Sequence, residues 1–213
     1  MNIVSINVAL AAPLFVAASN GSANTRETVM SGIRKSPVST LSDPRAVEVR
    51  WLGFAGDEQA DLSVHGGRDK AVYAYPVEHY PTWRTIRQQA AHIDEDLPYG
   101  FAGENLTIAG LFENRVWIGD VLEIGGAKEE GTSALRLRVT APREPCFKFN
   151  ARMGFKHAAR MMVQSGYTGF YLEVLTTGKM AAGDAIRVVP GAREVTVEEM
   201  HRLITRGKQR DLL

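Results

Sequence analysis

The lone cysteine of this chain, Cys146, lies in the run Pro142-Arg143-Glu144-Pro145-Cys146-Phe147-Lys148, pinned by two prolines and flanked by two cations. A thiolate, not a thiol, binds metal, and Arg143 and Lys148 favour the charged form by Coulomb attraction. Pro145 fixes its own φ and pushes Glu144 toward an extended conformation, so the thiol is expected on a stiff loop. The competing reading is a small buried hydrophobe. A second chemical segment is Asp61-Leu62-Ser63-Val64-His65-Gly66-Gly67-Arg68-Asp69-Lys70. Gly66 and Gly67 let backbone amides approach a ligand, Lys70 and Arg68 suit an anion, and His65 and Asp69 are able to move protons. The same tripeptide also serves as an ordinary glycine turn between strands. Gly32-Ile33-Arg34-Lys35-Ser36-Pro37-Val38 offers another cationic turn, and Gly103-Glu104-Asn105-Leu106-Thr107 a polar one in which Asn105 both donates and accepts hydrogen bonds.

Positioning these residues requires a folded scaffold, and 213 residues with 45% hydrophobic and 23% charged side chains suit one large domain or one domain with a small appendage. Lys and Arg (25) nearly balance Asp and Glu (24), so no global field recruits nucleic acid or an anionic membrane. One cysteine excludes an internal disulfide and any all-cysteine metal site, and a reducing cytosol is the simplest home. The apolar stretch from Val8 to Ala18 imitates the middle of a secretory signal. Pro13 interrupts it, however, and Ile3, Val4, Ile6 and Val8 read as a buried first strand. No window reaches the roughly 18 apolar residues needed to cross a bilayer.

Short apolar runs bounded by Gly, Pro and Asp predict strands over 46–52, 70–75, 105–108, 121–124, 135–140, 170–175 and 185–189. Leu135-Arg136-Leu137-Arg138-Val139 alternates strictly, which places three apolar side chains on one face and two arginines on the other. Ile118-Gly119-Asp120-Val121 and Ala182-Gly183-Asp184-Ala185 repeat a Gly-Asp turn feeding a strand, as a β-barrel would. Helices are expected over 79–91, over 156–164 with Gly166 as its stop, and from a capping box formed by Thr196 and Glu199. Pro190-Gly191 divides a barrel over 1–190 from a helix and tail over 191–213, too short for a core of its own and expected to dock on the barrel or on a second subunit.

Taken in order, these segments resemble the MOSC family, closest to the bacterial members that detoxify N-hydroxylated bases. The likeness rests on the first strand Ile3-Val4-Ser5-Ile6-Asn7-Val8, then Lys35-Ser36-Pro37-Val38, Gly56-Asp57, His65-Gly66-Gly67 with Asp69-Lys70-Ala71-Val72, Gly103-Glu104-Asn105-Leu106, and Pro145-Cys146-Phe147-Lys148. The resemblance implies a mainly β fold, a closed, mostly antiparallel barrel with peripheral helices and a short C-terminal helical appendage. It also implies the molybdenum cofactor, with Cys146 as the protein's metal ligand beside two sulfurs from the pterin dithiolene. Lys35, Ser36, His65, Gly66, Gly67 and Asn105 match the family's cofactor pocket, and Tyr171 an aromatic lining residue. Lys70 joins the pocket from the same run, and Arg143 is added as a cation suited to phosphate. Tyr73, a histidine in some relatives, receives no role. Close relatives continue into a three-helix domain, whereas one capped helix is read here.

The implied activity is reduction of N-hydroxylated bases, hydroxylamines or amidoximes to amine and water, needing two electrons and two protons. His65, with Asp69 as second, either supplies protons or, in the case of His65, only holds the cofactor. No dinucleotide fingerprint, flavin motif or cluster-binding cysteines are present, so electrons are expected from a separate reductase. Two rival readings remain open, a sulfur carrier working through a Cys146 persulfide and a non-catalytic cofactor-binding module. Pyridoxal phosphate ranks last, since no lysine stands out as a Schiff-base partner. The expected partners are a small N-hydroxylated substrate and that reductase, with no nucleic acid and no membrane, in a cytoplasmic monomer or homodimer.

Overall fold

The structure, a computed structural model, describes residues 1–17, 26–60, 66–125 and 134–210. In chain order the strands are β1 (Asn2–Val8), β2 (Ala12–Ala17), β3 (Arg26–Ser31), β4 (Ser36–Thr40), β5 (Val47–Arg50), β6 (Gly53–Phe54), β7 (Val72–Pro76), β8 (Leu106–Ala109), β9 (Val121–Ile124), β10 (Leu135–Pro142), β11 (Phe170–Thr176), β12 (Gly178–Met180) and β13 (Ile186–Val189). The helices are α1 (Tyr80–Ala91), α2 (Phe147–Met153), α3 (Ala158–Ser165) and α4 (Val197–Arg210).

Eight strands form one curled sheet in the order β13-β9-β10-β11-β7-β8-β1-β4, antiparallel throughout except for β7 and β8. β10 shows why the sequence pattern works. Leu135, Leu137 and Val139 are buried in the main core, while Arg136 and Arg138 face outward beside Glu123 and Glu173 of the neighbouring strands. Each such apolar side chain removed from water stabilises the fold by about 1.5–3 kcal/mol. The two Gly-Asp echoes turn out to feed β9 and β13, which pair with each other. In both, the aspartate accepts a backbone N–H three residues upstream, Trp117 N to Asp120 and Ala181 N to Asp184, at 3.3 and 2.8 Å.

The barrel is not closed by a continuous ladder, contrary to expectation. β13 and β4 are the sheet's edges, and the ends meet through an Asn2–Ala185 bridge, main-chain bonds from Ile3 to Asp184, from Gly183 to Ile3 and from Ile186 to Met1, and a bond from Ala182 N to Ser39 Oγ on β4. Within the apolar stretch that follows β1, β2 pairs with β3 in a separate two-stranded ribbon, burying Leu14 and Val16 and leaving Phe15 outside.

A second, aromatic cluster of Tyr73, Tyr75, Tyr80, Trp83, Phe101, Phe149, Met153 and Met162 lies between the sheet and α1 to α3. α4 docks against β10 and sends Val197 into the main core. Its capping box is formed: Thr196 N donates to Glu199 Oε2 at 2.8 Å and Glu199 N to Thr196 Oγ1 at 3.1 Å. Thr196→Ala should therefore lower stability by about 1 kcal/mol in a urea titration. Among the described residues no helix is long and apolar enough to cross a membrane.

Candidate active site

One register row of the sheet holds two of the candidate residues, Tyr171 and Asn105. Tyr171 on β11 lies opposite Tyr73 on β7, and Tyr73 exchanges bonds with Asn105, giving its N–H to Asn105 Oδ1 (3.1 Å) and accepting from Asn105 N (2.8 Å). Asn7, near the end of β1, donates its N–H to the Asn105 carbonyl (2.7 Å). Above this row opens a cleft of about 110 Å³, whose lining includes Lys35, Asp57, Lys70, Arg143, Cys146 and Lys148.

The walls come from loops at strand ends. The Gly100–Asn105 turn must pass close beneath the 32–35 segment, and Gly103, at φ 90°, leaves no room for a side chain, since a Cβ would sit 2.8 Å from Ile33 Cγ1. Lys35 is paired with Asp57, each side chain only 8% exposed. Burial holds the Lys35 ammonium below the usual lysine range, opposed by the Asp57 carboxylate beside it. Asp57 also accepts from Ala9 N and Asn105 Nδ2, both at 2.8 Å. The lysine charge is thus neutralised in place.

Arg143 is different. It is 6% exposed, and its guanidinium carbon lies 5.0 Å from the Tyr73 ring centroid and 5.2 Å from that of Phe149. Its side-chain partners are the Tyr73 hydroxyl and the Met162 sulfur, each at 3.4 Å, with no carboxylate ion pair among the described residues. Burial pushes the Tyr73 and Tyr171 hydroxyls up, so both stay neutral, and Tyr73 donates to Thr168 O at 2.7 Å. A buried cation with no carboxylate paired to it among the described residues favours an anion in the adjoining space. Cys146 is half-buried on that space and electrostatically coupled to Arg143.

Cys146 ends the loop over 143–146 that follows β10. Cys146 is extended (φ −121°, ψ 179°) and is the N-cap of α2, a seven-residue helix that the sequence reading passed over. Among the described residues no three or more His, Cys, Asp and Glu side chains converge as a metal site. A metal held here must therefore bring most of its own ligands, and the chain offers one soft donor to complete them.

The sequence profile of the MOSC domain matches residues 61–187, more than half of the chain. The chain belongs to the MOSC domain family. It is 37% identical over 176 residues to the uncharacterized protein YflK of Bacillus subtilis, covering 82% of this chain and 71% of that protein. Protein YiiM of Escherichia coli is 37% identical over 149 residues, 70% of this chain and 61% of that one. A protein named a reductase from Gibberella moniliformis is 34% identical over 137 residues, 64% of this chain but 22% of its own length. The crystal structure of YiiM from Geobacillus stearothermophilus superposes with a TM-score of 0.66 at 26% identity, covering 97% of this chain and 85% of that one.

Within this MOSC chain, Lys35, Lys70, Asn105, Arg143, Cys146 and Tyr171 come together in the cleft. Others do not. Ser36 is exposed at the start of β4, and Asp69 is exposed with its carbonyl bound by Thr140 Oγ1; neither lines the cleft. Gly66 and Gly67 also lie outside its lining, and the Gly67 amide donates to Gln59 Oε1 at 3.3 Å. His65 falls outside the described residues. Asn105 spends its amide on Tyr73, Asp57 and the Asn7 carbonyl, which makes it the scaffold of the cleft. The sequence reading missed Asp57 and Tyr73 as lining residues. The signal for Asp57 was its place in Gly56-Asp57, a motif noticed without a role; nothing in the run around Tyr73 marks it.

Proposed function

We propose that this chain is a molybdenum-cofactor-dependent oxidoreductase that reduces N-hydroxylated compounds, namely hydroxylaminopurines, hydroxylamines and amidoximes, to the amine and water. The observation that carries this reading is a half-buried thiol facing a cleft with a buried, carboxylate-free guanidinium at its side. These residues fit the cofactor in kind: one soft sulfur donor for the metal, and cations for the pterin phosphate. Cys146 is the metal ligand. Arg143, Lys70 and Lys148 attract the phosphate, because Lys35 is already matched by Asp57.

When bound, the cofactor supplies the electron pair and a centre that accepts oxygen. The overall change is R–NHOH plus two protons and two electrons to R–NH2 and water, so the protein must deliver protons. Asp69, exposed and away from the cleft, is dropped from that role. His65 remains the proposed donor, since an imidazole titrates near neutrality. Tyr73 and Tyr171, neutral at working pH, wall the cleft and present their rings, 5.5 Å apart, to a planar guest. Electrons come from a separate reductase. A relative named a reductase supports reductive chemistry.

The test is protein purified from cofactor-producing cells, analysed for metal and assayed with a hydroxylaminopurine and an artificial reductant. About one molybdenum per chain together with amine formation supports the proposal. Bound cofactor without turnover points to a binding module. Sulfur transfer that proceeds without molybdenum points to a persulfide carrier, and either outcome overturns the reductase reading.

A further inference from the structure

Three arginines gather outside the cleft, and among the described residues one exposed carboxylate, Glu95, is ion-paired with them. Arg152 on α2 and Arg87 on α1 place their guanidinium carbons 4.3 and 5.2 Å from the centroid of the buried Phe101 ring. Arg34 is the third. Arg152 is held below the usual arginine range, by burial first and then by repulsion from Arg34 and Arg87. Their hydrogen-bonding capacity is largely unspent. Arg152 Nε donates to Phe101 O at 3.2 Å, and Arg34 forms no hydrogen bond or ion pair among the described residues. Nε of Arg87 is buried with no partner. The acid ion-paired with the cluster is Glu95, 71% exposed, 3.3 Å from Arg87 Nη1, and the buried Glu104 carboxyl also lies near enough to act on Arg152. An exposed pair of this kind contributes roughly 0–1 kcal/mol, too little to explain three converging cations.

We propose that Arg34, Arg87 and Arg152 form a second anion site, distinct from the Cys146 cleft, that takes a phosphate group. Planar guanidinium forks match phosphate oxygens, and Phe101 holds two of them by cation–π contact before the ligand arrives. The site reports on the cleft. Arg34 lies between Ile33 and Lys35, both cleft residues, and Arg152 rides on the helix that Cys146 caps. A bound phosphate therefore ties two walls of the cleft together. The inference does not depend on the cofactor reading.

The experiment titrates the full chain with inorganic phosphate at constant ionic strength, reading Tm and heat of binding. A saturable rise of roughly 5–10 °C is expected at about 100 times the dissociation constant. Arg34→Gln and Arg87→Gln should each weaken binding roughly 10-fold or more. Glu95→Gln should strengthen it by removing a competing anion, and Arg187→Gln, on the exposed face of β13, should leave it unchanged. Arg34 is exposed, so its variant folds even if the other arginine changes do not. An equal rise in every variant means a general salt effect and overturns the proposal. So does loss in Lys70→Gln with retention in Arg34→Gln, which would put the anion in the cleft.

Discussion

Cys146→Ser is expected to reduce turnover of N-hydroxylated substrates below about one-hundredth of the parent rate without loosening the fold. Even outer-shell changes around bound metals cost 10- to 100-fold, and this change removes the only sulfur the chain donates. Serine keeps the size of the side chain but not its softness, so metal content should fall with activity. The structure supplies a control for stability. Cys146 caps α2 without a side-chain hydrogen bond, and serine is among the best N-cap residues, so the variant should melt at the parent temperature or slightly above it. Loss of activity with an undiminished Tm separates a ligand from a structural cysteine. A serine variant that keeps both molybdenum and turnover would sink the assignment.

The parts of this molecule that were legible in the sequence are those encoded locally. β9 matches its expected bounds, Val121–Ile124, because a Gly-Asp turn starts it and Gly125 follows it. β10 was readable from strict alternation, and the start of α4 from residues three apart that satisfy each other's amides. What escaped depends on contacts distant in sequence. Tyr73 and Arg143 meet across 70 positions, and Asp57 and Asn105 across 48. Ser36 follows Lys35 in the Lys-Ser pair on which the resemblance rests, yet the two differ in burial: Lys35, just before β4, is 9% exposed and lines the cleft, while Ser36, the first residue of β4, is exposed. α2 was missed because seven residues between Pro145 and Gly154 carry too short a pattern to show a helical period.

Glu104 is the other residue whose replacement should have a large effect, through stability. Its carboxyl is fully buried, and Oε1 accepts from the Tyr80 hydroxyl, Gly100 N (2.9 Å) and Thr107 Oγ1 (2.8 Å). Thr107 Oγ1 in turn accepts from Asn7 Nδ2 at 3.0 Å, so one acid organises the turn beneath Lys35 and the end of β1. Glu104→Ala strands three buried donors and should cost roughly 3–5 kcal/mol in a urea titration. Glu104→Gln should be far milder, since an amide oxygen accepts the same bonds. Burial pushes the Glu104 pKa up, and Oε2 has no partner to support a charge. Above the unfolded pKa of about 4.3, the native state holds a proton that the unfolded chain has released. The Glu104 contribution therefore weakens as pH rises from there toward the native value, with the slope set by the difference in bound protons. Glutamine has no proton to lose. Between about pH 5 and pH 8 the stability of Glu104→Gln relative to the parent should climb with pH, and parallel pH profiles for the two would mean that the carboxyl is ionised in the folded protein.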